Sequence, residues 1–133
     1  MKKKRQKGGD SVRVAIPTKN GSIYRQYELA KEFTLYDVEI ELVKKKKIIP
    51  RGTSSMAAFL KEQEIDAIIC GNISSDSRIL LRTKRIELTY NVSGKADAVM
   101  IRYLSGEVMG NLEENALMPM DFSDISDMKK EDL

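Results

Sequence analysis

Apolar and polar positions change their period twice along the chain, and those changes divide it into elements. Val12-Arg13-Val14-Ala15-Ile16 begins in alternation, the period of a half-buried strand. It stops at Pro17, which has no amide proton to continue a ladder, so a first strand is predicted over 12–16. Lys19-Asn20-Gly21 marks a turn. Phe33-Thr34-Leu35-Tyr36-Asp37-Val38-Glu39-Ile40 is β-branched and aromatic with a period near two, and Glu41-Leu42-Val43 carries it on toward Lys44-Lys45-Lys46-Lys47-Ile48-Ile49. This pattern predicts two antiparallel strands sharing a lysine-rich bend or edge. Lysines at such an edge discourage pairing with another chain.

Beyond residue 52 the period lengthens. Thr53-Ser54-Ser55 offers hydroxyl caps for a helix over 56–63, in which Met56, Phe59 and Leu60 share one face. Asp66-Ala67-Ile68-Ile69-Cys70 is a short apolar run ending in Gly71, as a buried parallel strand would be. A second helix over 76–84 carries Ile79 and Leu80, a short strand covers 86–90, Asn91-Val92-Ser93-Gly94 turns, and a third helix over 96–104 ends before Gly106. Strands in a meander followed by alternating helices and strands predict an α/β fold: a mixed sheet of about five strands flanked by helices. No internal repeat is present.

Composition fits a single domain. A chain of 133 residues with 41% hydrophobic content buries its apolar surface in one core. Its organisation reads as a basic disordered head (1–10), an α/β domain (11–110) and an acidic, partly mobile tail (111–133) with one docked turn around Leu117 to Phe122. The net charge of +3 comes largely from Lys2, Lys3, Lys4, Arg5 and Lys7. That head reads first as a solvated tail and second as an arm for nucleic acid or acidic lipid. Aromatic content of 6% without tryptophan leaves few stacking platforms, so no nucleic-acid partner is expected. No apolar stretch suits a membrane span or secretory leader, and a single cysteine cannot form an internal disulfide; a cytoplasmic protein is expected.

The chain has no histidine and one cysteine, the residue types that carry most neutral-pH metal and general-base chemistry. No nucleophile–base pair can be named, so a non-catalytic protein is expected. Two polar loops follow the predicted parallel strands, where open α/β sheets bind ligands. Gly71, Asn72, Ser74 and Ser75 could hold an anion on amides and hydroxyls at a helix start, or form an ordinary loop in which Ser74 or Ser75 caps the helix. Ser93 and Gly94 project toward the same edge. Cys70 is either a buried small hydrophobe or a thiolate ligand beside those amides, in which case a single thiolate would need other donors. Asp37, Glu39 and Glu41 alternate on one strand and could bind a hard cation or simply face solvent beside lysines. The metal ligands are unknown from sequence, and the seven methionines read as core filling.

Val14-Ala15-Ile16-Pro17-Thr18 with Gly21, Phe33 to Val38, Asp66 to Gly71, Val92-Ser93-Gly94 and Tyr103-Leu104-Ser105-Gly106 occur in an order that resembles the dinitrogenase iron-molybdenum cofactor biosynthesis family, over roughly residues 12 to 110. The resemblance implies a ribonuclease H-like α/β domain. It further implies a carrier or assembly role for an iron-molybdenum or iron-sulfur cluster held near Cys70, Gly71, Asn72, Ser74, Ser75, Ser93 and Gly94, with cofactor-assembly proteins as partners. Gln26-Tyr27-Glu28 stands where the family commonly has His-Phe-Gly, and Gly71-Asn72-Ile73-Ser74 where relatives often have Gly-Gly-Ile-Gly. An imidazole and two loop glycines are therefore missing, and the ligand site reads as altered. The alternative is a protein-interaction or regulatory module acting through Lys44 to Lys47 or the acidic tail. A homodimer is a default expectation for a small α/β domain.

Overall fold

The computed structural model describes residues 11–107 and 109–113. Seven strands form one mixed sheet in the order β4-β3-β1-β5-β6-β7, with β2 paired to β1 off this path. β1 (Ser11–Lys19) lies at the centre, antiparallel to β3 (Glu32–Glu39) and parallel to β5 (Ala67–Ile69). Strands covered on both faces read as continuous apolar runs rather than as alternation. Val14, Ala15 and Ile16 accordingly have no solvent exposure.

The first strand does not stop at Pro17, as the sequence predicted. Pro17 stays in register opposite Phe33, and its carbonyl accepts the Tyr24 amide at 2.8 Å, so the residue without a donor still contributes an acceptor. The strand runs on to Lys19 and turns through Asn20 and Gly21, both at positive φ, into β2 (Ser22–Ile23). Paired positive φ values suit the twist of a two-residue hairpin. A second such hairpin, at Ile40 and Glu41, joins β3 to β4 (Leu42–Pro50). The lysines 44–47 thus lie along the edge strand of the described sheet and not in the bend. Glu41 sits in the turn, and Asp37 receives Arg13 Nε at 2.7 Å and a second guanidinium nitrogen at 3.1 Å, so the three alternating carboxylates do not converge on a cation.

Two helices cover one face. α1 (Met56–Glu62) and α2 (Ser75–Thr83) are capped by Ser55 and Ser74, whose side chains accept the amides of Ala58 and Ser77. They contribute Phe59, Leu60 and Leu81 to a core with Phe33, Leu35 and Ile68, whereas Ile79 of α2 stays exposed. α3 (Ala96–Leu104) covers the other face, placing Val99 and Met100 on Val14, Ile16 and Ile69. β6 (Glu87–Tyr90) extends the parallel part of the sheet. β7 (Asn111–Glu113) pairs antiparallel with it, inside the stretch read from sequence as tail. The sheet therefore has seven strands where about five were expected. The basic head and the turn expected at Leu117 to Phe122 lie outside the described residues. No helix among the described residues is long and apolar enough to cross a membrane.

Candidate functional site

β5 and β6 run parallel and end together, and the loops that follow them meet the chain between β2 and β3. The Asn72 amide donates to the Arg25 carbonyl at 2.8 Å, and the Tyr27 amide to the Asn72 carbonyl at 3.0 Å. The Asn91 amide donates to the Gly71 carbonyl at 2.9 Å, which ties the two loops to each other. Gly71 suits this closeness: a Cβ there would stand 3.0 Å from the Arg25 carbonyl oxygen and 3.4 Å from that of Val92, so a side chain would push the Arg25 backbone back by a few tenths of an ångström. The Ile23 amide donates to the Gly94 carbonyl at 2.9 Å, and the Ala96 amide at the start of α3 donates to the Gly21 carbonyl at 2.9 Å.

These contacts frame a cleft of about 250 Å³ lined by Ile23, Arg25, Gly71, Asn72, Asn91, Val92 and Ser93. Gly71, Asn72 and Ser93 were candidates from sequence, and Asn91 begins the second polar loop named there; Arg25 was not, because nothing local marks an isolated arginine in a turn. Asn91 takes φ 65, a left-handed conformation that asparagine adopts more readily than most residues. The arginine is exposed and supplies a cation at the cleft.

Ser74, Ser75, Gly94 and Cys70 do not line it. Gly94 contributes its carbonyl to the β2 contact and has open space around its α-carbon. Ser74 and Ser75 begin α2, where the anion position predicted from sequence already holds an internal group, the carboxylate of Glu28. It comes from a 3-10 turn at Tyr27–Leu29, accepts the Ser74 amide at 2.8 Å and receives Gln26 Nε2 at 2.6 Å. Burial pushes the Glu28 carboxyl up, but hydrogen bonds from the Ser77 side chain, the Ser74 amide, Gln26 and the Ser74 side chain outweigh it and hold the group down at about 2. Arg51 fastens the same turn, donating to the carbonyls of Ala30 at 3.0 Å, Ser54 at 2.9 Å and Glu28 at 3.3 Å.

Cys70 is fully buried in the core beneath α1 and α2. Burial first, and the Glu28 charge second, push its thiol up to about 12. The thiolate is the form that ligates metals and reacts with disulfide reagents. We expect native protein to resist an aromatic disulfide reagent and to label stoichiometrically only with denaturant; rapid native labelling would return Cys70 to the site. Tyr27 Oη, also buried, has no hydrogen-bond partner among the described residues. Among the described residues no group of three or more Cys, Asp or Glu side chains is placed to hold a metal ion. What the cleft offers is one guanidinium, side-chain amides and a hydroxyl, a set suited to a small anion held by polar contact.

Comparison with known proteins gives this geometry a family. No functionally curated protein matches significantly. Among solved structures, a protein of Methanocaldococcus jannaschii provisionally described as a dinitrogenase superimposes with a TM-score of 0.64 at 27% identity, over 78% of this chain and 94% of that one. A Thermotoga protein provisionally described as a NifB protein of the DUF35 family gives 0.59 at 19% identity, over 79% and 94%. The protein PH0822 gives 0.70 at 18% identity, over 75% and 96%. The last two likenesses concern the fold alone. Residues 10–106 match the family profile described as dinitrogenase iron-molybdenum cofactor, and the chain belongs to that family.

Proposed function

We propose that the chain is a non-catalytic binding domain related to the carriers of iron-molybdenum or iron-sulfur cofactors, with the cargo held by its anionic periphery instead of by protein ligands. The observation that carries this reading is the cleft between Gly71-Asn72 and Asn91-Ser93, with the Arg25 guanidinium at its wall. Metal–sulfur species bound through thiolates and sulfides are anionic, and a guanidinium with neighbouring amides recognises negative charge without replacing a ligand. The residues present do not fit direct ligation. The chain lacks histidine, and its one thiol is buried and held protonated up to about pH 12.

The strand order β4-β3-β1-β5-β6, three antiparallel strands followed by two parallel ones, supports placing the fold in the ribonuclease H-like class. Cytoplasmic cofactor-assembly proteins are the partners this role would require. A specific observation also favours the interaction reading: β4, the edge strand of the sheet among the described residues, carries Lys44, Lys45, Lys46 and Lys47, a basic surface suited to an acidic partner held by charge and not by strand pairing.

The test is metal and sulfide analysis with a visible spectrum, after anaerobic incubation of the pure protein with iron-sulfur or iron-molybdenum cluster donors. Stoichiometric uptake that falls at least tenfold in Arg25→Glu, with thermal stability unchanged, is the expected result; tenfold corresponds to about 1.4 kcal/mol of binding. Uptake indifferent to that substitution places the cargo elsewhere. No uptake at all leaves the interaction module as the better reading.

A further inference from the structure

β7 lies beyond the residues that match the family profile, and the segment that contains it is fastened to both loops of the cleft. Its ladder with β6 sets Asn111 opposite Tyr90, Leu112 opposite Thr89 and Glu113 opposite Leu88. Three ladder positions contribute modestly by themselves, so the contacts at the two ends of the strand decide where it sits.

At the first end Gly110 presses on the turn that follows β6. A Cβ at this glycine would collide with the Tyr90 carbonyl oxygen and stand 2.9 Å from Val92 Cγ2 and 3.1 Å from the Asn91 carbonyl oxygen. Glycine, here at φ 49, lets the chain pass this close. At the other end Glu113 accepts a hydrogen bond from Arg82 and lies 3.5 Å from Arg78 Nη1. Arg78 donates in turn to Tyr90 Oη at 3.2 Å and to Ser75 Oγ at 3.2 Å, and its guanidinium carbon sits 5.1 Å from the centre of the Tyr90 ring. Both arginines belong to α2, the helix that the Gly71-Asn72 loop leads into. One end of the segment therefore holds the 91–93 wall of the cleft, and the other holds the helix behind the 71–72 wall.

Asn111 stands between these anchors. Its Oδ1 accepts Asn91 Nδ2 at 2.7 Å. The backbone of Asn91 is already fixed by its amide bond to the Gly71 carbonyl at 2.9 Å, so the contact from Asn111 adds control of the side chain, which lines the cleft. Among the described residues no other side-chain hydrogen bond holds the Asn91 amide group. A polar group whose rotation is fixed beforehand loses less freedom when a ligand arrives.

We propose that Asn111 is a positioning residue for the cleft: β7 is a strap, pinned at Gly110 and Glu113, that holds the Asn111 carbonyl oxygen where it sets the Asn91 amide for an incoming anion. The inference rests on the reading of the cleft as the cargo site, and it adds an element from outside the matched profile to that site.

The experiment compares Asn111→Leu with wild type and with a control on the same strand. Leucine keeps the branched shape and removes the acceptor, at an exposed position that the fold should tolerate. After anaerobic incubation with an iron-sulfur cluster donor, uptake measured by metal and sulfide analysis should be about fivefold weaker in Asn111→Leu, the loss expected for one hydrogen bond. Leu112→Thr, at an exposed position outside the cleft lining, should leave uptake unchanged. A spectroscopic readout separates positioning from a general loosening of the strand. In Asn111→Asp, which keeps the acceptor, the side-chain amide resonances of Asn91 should move as the new carboxylate titrates at about pH 4. Wild-type uptake in Asn111→Leu overturns the proposal and leaves the cleft as the cargo site. An equal loss in Leu112→Thr, or Asn91 resonances indifferent to that titration, also overturns it. If the wild-type protein takes up no cluster, the reading of the cleft itself fails and this inference fails with it.

Discussion

Phe33→Ala is expected to lower the stability of the fold by about 3–5 kcal/mol, a large part of what a domain of this size possesses. Phe33 has no solvent exposure and sits where three structural units meet. On its own strand it pairs with Pro17 on one side and Ile49 on the other. Its ring centroid lies 4.9 Å from that of Phe59 of α1 and 6.2 Å from that of Tyr27, the latter pair nearly perpendicular at 83°. Each such aromatic pair adds about 0.5–1.5 kcal/mol beyond the area it buries. Tyr27 opens the 3-10 turn that carries Glu28 and follows Arg25, so the cavity left by alanine lies under one wall of the cleft. Loss of cargo retention should therefore accompany loss of stability in Phe33→Ala, and both should be milder in Phe33→Leu, which keeps most of the buried apolar surface. Denaturant titration of the three proteins decides it. A loss under about 1 kcal/mol in the alanine variant would mean that the core closes over the gap and that Phe33 does not anchor the turn.

Elements with strong local signals were legible in the sequence. All three helices carry an apolar face, and the first two begin at serine caps that the sequence presented. α3 spans the predicted residues 96–104. The buried strands β5 and β6 follow from apolar runs bounded by Gly71 and Asn91. Elements too short to show a period, or dependent on distant partners, were not legible. β2 has two residues and β7 three, too few for any period, and both exist because β1 and β6 offer edges to pair with. Pro17 hid the second half of β1, because only the fold shows it in register opposite Phe33 with its carbonyl accepting the Tyr24 amide. The hairpin at Ile40-Glu41 has no glycine or asparagine to announce it.

The site was legible by half for the same reason. Strand ends that bind ligands could be predicted from parallel topology, and Gly71, Asn72 and Ser93 do line the cleft. Topology alone could not show that the start of α2 would be filled from within. Glu28 and Ser74 are 46 residues apart, and only the folded 3-10 turn brings the carboxylate onto the helix. The stretch Gln26-Tyr27-Glu28 thus does more than lack an imidazole. It supplies an anion of the chain's own, which leaves Arg25 and the 91–93 loop as the polar surface still open to a ligand.

Glu28→Gln is expected to cost about 1–3 kcal/mol at neutral pH, the range for losing hydrogen bonds to a charged group. Glutamine keeps one acceptor oxygen but turns an amide donor toward donors it cannot satisfy, and it removes the negative charge that the first turn of α2 favours. The pH dependence distinguishes this from a packing effect. In the folded protein the carboxyl is held at about 2, below its ordinary value of 4.5. A depressed carboxyl contributes stability that is complete above the unfolded value and is lost as pH falls through the folded one. The gap between wild type and Glu28→Gln should therefore stay constant from pH 8 down to about 5, narrow from about 4.5, and close near pH 2. Denaturation midpoints of both proteins across that range provide the measurement. A gap of equal size at pH 3 and pH 7 would show that the variant disturbs packing instead of charge, and the absence of any gap would mean that α2 does not depend on the carboxylate at its start.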